Sequence, residues 1–390
     1  LAELERWGLA LRRREGGLPH ASAAPGHKTP RLTGCGDSTV REVTRVLEEQ
    51  AIKRGIQRNA DSIPLTIVSD NSQIRGLVTL DVPSGRIDAI QTKAVILATE
   101  GHQGLWSKPS DGSGTGSALA ISAGIDLKGM EITPRHPLTI RDCGIHIPLD
   151  VLGSGGRIRR ENGDDVGPEE ALEGEPCVLD LRQMDADAKV WFSQTSMRIM
   201  DRLGIDISKD VIPLSPGIAY TTGGAPSDAQ GRVVFQGHTA EGLPAELWHT
   251  GLYAAGRSAH TGVHGSNALP GNLLLDDLVS GKAAGEHASK WATGIRFGGN
   301  NQIEEALKRE SDRVSSIMEG DGIAVAKFYS KLTSAISSGS SNEGSLAEVR
   351  AIKDTGITLS DTSSVMNTEM AEALRLVGLA SVAESILTSG

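Results

Sequence analysis

Residues 251–288 are rich in glycine and in polar residues that could bind a ligand. They read GLYAAGRSAHTGVHGSNALPGNLLLDDLVSGKAAGEHA. The apolar start, 251–256, predicts a short strand, and the periodic end predicts a helix from about Gly271 through Ala288. A strand, a glycine-rich loop and a helix N-terminus together present backbone N–H groups and a partial positive charge to a ligand. The segment therefore predicts a site for a phosphate or an anionic ring oxygen, although glycine-rich turns also serve packing alone.

Other residue clusters carry weaker signals. His249, His260 and His264 lie close in sequence, but their spacing fits neither helix nor strand geometry, so we expect no metal site. The three cysteines are far apart and form no CxxC pair, which argues against a disulfide framework, zinc or an iron-sulfur cluster in this chain. Asp276 and Asp277 fall on the predicted helix, where we expect a capping or packing role.

The composition favours a large α/β enzyme. The 390 residues suffice for two or three domains, and glycine is abundant (47) while aromatic residues make up only 3%. Thirty-nine basic and 49 acidic residues give a net charge of -10 without a long basic run, which disfavours nucleic acid and anionic membranes as direct partners. No apolar run reaches the ~18 residues of a membrane helix, so we expect no membrane span.

Strand-like and helical patterns alternate along the chain. The strand 92–99 has five apolar residues in six, which is typical of a strand covered on both faces. The run 153–165, which contains RIRR, predicts a hairpin or a mobile loop, and a Ser/Gly-rich run at 337–345 predicts a loop between helices. The remaining predictions are helices at 38–55, 114–124, 184–204, 301–319, 322–338 and 363–389, strands at 63–70 and 74–87 with a Pro-Ser-Gly hairpin turn, and a second β segment at 223–256.

The order of residues in the glycine-rich segment resembles the flavin-binding signature GLYAxGExxxxxxHGxNRLxxNSLLxxxVxG of the succinate dehydrogenase and fumarate reductase flavoprotein family, which includes L-aspartate oxidase. Other stretches are similar to family segments in the same order, so that the resemblance covers nearly the whole chain. They are LERWGLALRRREGG, TKAVILATEGHQGLW, SGTGSALAISAGIDLKGMEITPRHPLTI, PGIAYTTGGAPSDAQGRV and ITLSDTSSVMNTEMAEALRL.

The resemblance implies an α/β protein with a Rossmann-like FAD-binding domain in two segments, 1–130 and 223–290. An α+β capping domain, 131–222, is inserted between them, and a helical domain, 291–390, follows. The family's first βαβ unit, which carries GxGxxG, is expected to precede residue 1, because GSGTGS at 112–117 lacks the third glycine and the preceding strand. We therefore expect that the chain is a fragment or a processed form.

The cofactor implied by the resemblance is FAD, and its contacts carry over position by position. Arg257 is a departure, because it stands where the family has a glutamate that contacts ribityl or ribose hydroxyls, and a cation cannot accept those hydrogen bonds. A second departure is Thr115, which replaces an acid of the family's TGDG motif. The implied cofactor-binding residues are Ala98, Thr99, Gly101, Gly114, Gly116, Gly256, Arg257, Asn267, Asn272, Leu273 and Leu274.

The substrate contacts implied by the resemblance are mostly missing. His136 matches a histidine that binds a substrate carboxylate, but the family's Thr-Glu pair falls on Pro148 and Leu149. A second histidine falls on Ala219, and an arginine falls on Ala268. The segment that carries the family's proton-shuttling arginine is replaced by the acidic run 162–177, which has no arginine. Losing one cation beside a buried carboxylate costs about 3 kcal/mol, which argues against ordinary succinate or fumarate turnover.

Six basic residues nearby in sequence could form a different anion site, although a solvated hairpin is the favoured interpretation of RIRR. They are Arg135, Arg141, His146, Arg157, Arg159 and Arg160.

Two functions remain open from the sequence. The first is an FAD-dependent oxidoreductase that acts on an organic acid other than a simple C4 dicarboxylate. The second is a catalytically degenerate paralogue that serves as a structural or regulatory subunit of a redox complex. In either case we expect an iron-sulfur subunit or an active flavoprotein paralogue as partner, and a cytoplasmic location, peripheral at the inner face of a membrane if partner subunits hold it there.

Overall fold

The computed structural model describes residues 1–107, 112–337 and 342–389. Its helices are α1 (Ala2–Arg6), α2 (Thr39–Lys53), α3 (Thr115–Ser122), α4 (Asp150–Gly153), α5 (Ala186–Trp191), α6 (Ser193–Leu203), α7 (Asn272–Gly294), α8 (Asn301–Met318), α9 (Val325–Ser337), α10 (Asn342–Thr355) and α11 (Thr368–Ser389). Its strands are β1 (Ser62–Asp70), β2 (Gln73–Asp81), β3 (Arg86–Gln91), β4 (Val95–Leu97), β5 (Arg135–His136), β6 (Arg157–Arg160), β7 (Asp165–Val166), β8 (Cys177–Asp180), β9 (Ile212–Leu214), β10 (Gly217–Ile218), β11 (Ala225–Pro226), β12 (Arg232–His238), β13 (Pro244–Ala254), β14 (Ala259–His260), β15 (Ile323–Ala324) and β16 (Ile357–Thr358).

The first of two compact units, unit 1, comprises Leu1–Arg58, Arg135–Ala219 and Ala268–Leu274. Strands β7, β6, β8 and β9 form an antiparallel sheet in that order. The RIRR run is β6, in which Ile158 is buried between two arginines that point to the other face, as the alternation of a strand requires. This confirms the hairpin interpretation of that run.

The second unit, unit 2, comprises Asn59–Pro134, Tyr220–Asn267 and Leu275–Gly390. Its main sheet has the order β1-β2-β13-β12, with β3 paired to β2 and β4 paired to β13. The predicted hairpin is confirmed as the antiparallel pair β2–β3. Apolar residues of β4, β13, α3, α9 and α11 share one buried core, which includes Leu97, Leu252 and Leu379.

The mixed α/β class and a helical C-terminal region are both present, since α8 to α11 follow the strands of the main sheet. The two compact units do not test the four predicted segments 1–130, 131–222, 223–290 and 291–390, which stay a prediction. Within the described residues, no helix combines the length and the apolar character that a membrane span needs.

The strand predicted at 92–99 is shorter and less covered than its composition indicates. Only Val95–Leu97 is strand, and Ile96 is 39% exposed. Among the described residues, β13 is its one strand partner, so one edge of β4 carries no neighbouring strand. The prediction of a strand covered on both faces was therefore wrong.

The helix predicted at 184–204 is two helices, α5 and α6, interrupted at Phe192. The carbonyl of Trp191 accepts a hydrogen bond from the backbone N–H of Asp37 (2.9 Å), and Phe192 is itself buried. The Asp37 carboxylate accepts a hydrogen bond from the N–H of Thr195 in the first turn of α6 (2.7 Å). A distant aspartate thus caps the second helix, which helical periodicity alone cannot reveal.

The loop predicted at 337–345 extends too far at its C-terminal end, where residues 342–345 are helical. Residues 338–341 lie outside the described residues, and α10 begins at Asn342. The Gly and Ser residues in its first turn weaken the helical pattern, while Val349 and Ile352 bury its apolar face.

We predict that Asp180→Asn destabilises unit 1 by about 2 kcal/mol, because this carboxylate is 2% exposed and pairs with Arg182 and Arg159. Hydrogen bonds from Arg182 lower the pKa of Asp180 from 3.8 to about 2. Its stabilisation is therefore complete above about pH 5 and is lost as the pH falls toward 2.

Urea unfolding at pH 7 and at pH 2.5 measures both effects. The wild type and Asp180→Asn should differ at pH 7, and the difference should be much smaller at pH 2.5. Glu175→Gln is the matched control, because Glu175 pairs with Arg160 but is 63% exposed, and it should change little. Equal stability of Asp180→Asn and wild type at pH 7 would contradict the prediction.

Candidate functional site

The carboxyl ends of β4 and β13 lie side by side in unit 2. The two strands are parallel, Leu97 is paired with Ala254, and the N–H of Ala255 donates to the carbonyl of Leu97 (2.9 Å). Ligands of open α/β sheets bind outside the carboxyl ends of parallel strands. The turns after the two strands, at 98–101 and 255–258, therefore form the candidate site.

Ser258 joins these two turns. Its Oγ accepts a hydrogen bond from the N–H of Thr99 (2.8 Å) and donates to the carbonyl of the same residue (2.9 Å). The Oγ1 of Thr99 in turn accepts from the N–H of Gly116 in the first turn of α3 (3.0 Å). Because Ser258 is 1% exposed, water does not compete for these bonds. One buried hydroxyl thus holds the ends of β4, β13 and α3 together.

The glycines beside this hydroxyl are required by close packing. A Cβ at Gly116 would lie 2.5 Å from Thr99 Oγ1 and 2.9 Å from Ser258 Oγ. Gly114, at the N-cap of α3, has a φ of 64° and donates its N–H to the carbonyl of Gly101 (3.0 Å). The structure therefore brings together four of the predicted cofactor residues next to Ala98, which is exposed.

Several polar atoms near these turns are buried without a partner in the part of the chain that the structure describes. They are His102 Nε2, Ser117 Oγ and Thr222 Oγ1. Burial lowers the pKa of His102 from 6.5 to about 4, so its ring is neutral at pH 7. Buried polar atoms are normally paired, so unpaired ones at the ends of strands and helices indicate a place for polar groups of a ligand.

The glycine-rich loop is tied back to α7. Gly256, with a φ of 55°, donates its N–H to Ser280 Oγ (2.8 Å). Arg257 contacts Asp277, with 3.3 Å between Nη2 and Oδ2. His264 contacts the neighbouring acid Asp276, with 3.2 Å between Nε2 and Oδ2. The two aspartates thus fasten both ends of the loop 256–264.

The remaining predicted residues of this segment make other contacts. Asn267 is exposed and accepts a hydrogen bond from the hydroxyl of Tyr220. Asn272 begins α7 as predicted, and Asn272, Leu273 and Leu274 belong to unit 1. There His27 Nε2 lies 2.9 Å from the carbonyl of Pro270, so that the residues just before α7 are held by the N-terminal segment of the same unit.

His136 lies on β5 of unit 1, paired with β10. The N–H of Leu138 donates to its Nδ1 (3.2 Å), so the neutral ring carries its proton on Nε2. Burial, together with the nearby His146 ring at 5.5 Å, lowers the pKa of His136 to about 4. His136 is therefore a neutral N–H donor at pH 7 rather than a cation.

The arginines near His136 make contacts within unit 1. Arg157 and Arg159 both contact Asp165, and Arg160 contacts Glu175. Arg135 donates to the carbonyl of Pro216 (3.2 Å) and Arg141 to that of Leu214 (3.4 Å). Ion pairs and carbonyl contacts account for these cations.

Two contributors were not predicted from the sequence. Ser258 carries no motif signal, since its role depends on a turn 159 residues earlier in the chain. The sequence placed Asp277 on a predicted helix but gave no sign that it contacts Arg257, because that contact forms only when the chain folds.

Comparison with known proteins identifies relatives of the chain. The FAD binding domain family matches residues 1–274. The succinate dehydrogenase flavoprotein subunit of Rickettsia bellii is 26% identical over 436 residues, covering 97% of this chain and 71% of that protein. The fumarate reductase flavoprotein subunit of Escherichia coli K12 is 26% identical over 445 residues, covering 100% of this chain and 71% of that protein.

The fold is also that of a solved structure. A quinol fumarate reductase variant from E. coli superposes with a TM-score of 0.88 at 24% identity, covering all of this chain and 73% of that chain. The alignment with the E. coli subunit is longer than the 390 residues of this chain, so it contains gaps here.

We predict that Ser258→Ala lowers the free energy of unfolding of unit 2 by about 1–3 kcal/mol, because it leaves the N–H and carbonyl of Thr99 unpaired. Urea unfolding followed by tryptophan fluorescence measures the change. Thr293→Ala is the control, since the Thr293 hydroxyl is exposed and bonds only within its own helix, to the carbonyl of Ser289. An equal loss of unfolding free energy in the two variants would show that the hydrogen bonds of Ser258 contribute no more than an exposed hydroxyl does.

Proposed function

We propose that this chain, which belongs to the FAD binding domain family as a flavoprotein of the succinate dehydrogenase and fumarate reductase type, transfers hydride between FAD and an organic substrate other than ordinary succinate or fumarate. At the coarser level it is an FAD-dependent oxidoreductase of that family. The finer proposal is supported by the residue types at Pro148, Leu149, Ala219 and Ala268, which stand where the resemblance implies the family's dicarboxylate contacts.

The described residues fit FAD. The buried hydroxyls of Ser117 and Thr222, which have no partner among the described residues, offer donors and acceptors, and the N-terminus of α3 offers a partial positive charge. We propose that the turn 98–101, the glycines 114 and 116, and the loop from Gly256 hold the cofactor. Within unit 1, the N–H groups at the start of α7, Asn272 to Leu274, carry a partial positive charge that suits an anionic ligand. FAD itself supplies the hydride acceptor or donor.

His136 is proposed to bind a polar group of the substrate through Nε2–H. Since its pKa is about 4, it does so as a neutral donor, which suits a carbonyl or a carboxylate oxygen without charge neutralisation. The missing cations therefore favour a substrate with fewer carboxylates than succinate.

The experiment that tests this function is anaerobic flavin bleaching. The purified protein should show a flavin absorption spectrum that a donor from a panel of organic acids, alcohols and amines reduces, while succinate leaves it unchanged. A colourless protein that co-purifies in stoichiometric amount with an active flavoprotein or an iron-sulfur protein would instead support a structural or regulatory subunit. Rapid reduction by succinate would contradict the proposed substrate preference.

We predict that KM for the identified substrate is flat between pH 5.5 and 8, because His136 stays neutral above its folded pKa of about 4. His136→Leu should raise KM about tenfold by removing one donor, and His136→Gln should restore part of the affinity through its amide N–H. Steady-state kinetics across the pH range measure both. A KM that rises about tenfold as pH passes 6.5 would show that a cationic imidazole is used instead.

The relatives are flavoprotein subunits by name, so we propose that this chain also works within a complex. An iron-sulfur subunit is the proposed partner, and attachment to the inner face of a membrane would come through such partner subunits.

A further inference from the structure

The carboxylate of Asp277 lies against the start of the glycine-rich loop. A Cβ at Gly256 would overlap its Oδ1, while its Oδ2 faces Arg257 at 3.3 Å. Only glycine, with its φ of 55°, lets the backbone and this carboxylate approach so closely. The carboxylate is therefore held at the turn after β13.

Asp277 keeps unused capacity to accept hydrogen bonds. An ionised carboxylate has about four lone-pair sites on its two oxygens. Among the described residues, Arg257 is its one hydrogen-bond donor, through Oδ2, and the N–H of Gly256 goes to Ser280 instead. The side chain of Asp277 is 29% exposed and that of Arg257 is 34% exposed, so the pair is open to a ligand.

Arg257 offers no hydrogen-bond acceptor at its own position. It does hold the carboxylate of Asp277, which is an acceptor, beside the loop. A guanidinium has five donors and no acceptor, so it cannot replace a glutamate that binds hydroxyls. The carboxylate of Asp277 has the chemistry that position 257 lacks. The ion pair also leaves no net charge beside a diphosphate-bearing ligand, where an unpaired carboxylate would be repelled.

We propose that Asp277 Oδ1 accepts a hydrogen bond from a hydroxyl of FAD, and that Arg257 is a positioning residue that orients and neutralises this carboxylate. The inference rests on FAD as the cofactor. The hydroxyl belongs either to the ribityl chain or to the adenosine ribose, and both offer the same donor chemistry.

Dissociation constants of the purified protein for FAD, measured by quenching of flavin fluorescence, test the proposal. Asp277→Leu should weaken FAD binding about tenfold or more, because it removes a charged acceptor. Arg257→Glu should also weaken it, since two carboxylates then face each other. The double variant R257E/D277L should regain affinity to within about threefold of wild type, because the new glutamate supplies the acceptor.

Two controls separate binding from folding. Glu286→Gln alters a carboxylate of the same helix that is 62% exposed, and it should leave FAD affinity unchanged. Asp277→Asn keeps an Oδ1 acceptor and should retain most of the affinity even if Asp277→Leu folds poorly. The melting temperature of each variant without FAD should match that of the wild type to within a few degrees.

Competition with riboflavin and with ADP identifies the hydroxyl. A ribityl contact makes Asp277→Leu weaken riboflavin but not ADP, and a ribose contact does the reverse. Wild-type FAD affinity in Asp277→Leu, or a double variant as weak as the single ones, would overturn the inference. A wild-type protein that binds no FAD at all would contradict the proposed function itself, which is a separate result.

Discussion

The hydroxyl of Ser258 is the contact on which the candidate site depends. By pairing with both backbone groups of Thr99, it holds together the turns after two parallel strands, and Thr99 then fixes the first turn of α3. All three elements must end at the same place for backbone N–H groups to converge on a ligand. A buried hydroxyl is small enough to join these turns in a closely packed place. Because the packing is so close, a side chain at Gly116 would collide with Thr99 and Ser258.

Within each unit, the charge states of key side chains are set by ion pairing and by burial. Asp180 in unit 1 stays ionised because two arginines face it, while His102 and His136 stay neutral because burial disfavours their charged forms. The arginines of the RIRR strand form ion pairs with neighbouring acidic residues. Burial and ion pairing thus leave neutral imidazoles and paired arginines in these parts of the chain.

Much of the fold could be predicted from periodicity and turn residues. The helix α2, the β2–β3 hairpin and the start of α7 at Asn272 agree with their predictions, because each is a local pattern with a local stop signal. One failure has a cause outside the segment concerned. The predicted long helix is interrupted at Phe192, where the N–H of Asp37 binds the carbonyl of Trp191 and its carboxylate caps α6.

The sequence by itself determined the family and the FAD cofactor, because these depend on residue identity and order. The tertiary structure decided which residues act together: Ser258 with Thr99, and Asp277 with Arg257. Both pairs join residues that are separated in the chain. A local sequence pattern does not indicate which distant side chain will contact a given turn. In the sequence, Arg257 is only the loss of a hydrogen-bond acceptor. In the folded chain it forms an ion pair with Asp277, whose carboxylate can accept a hydrogen bond.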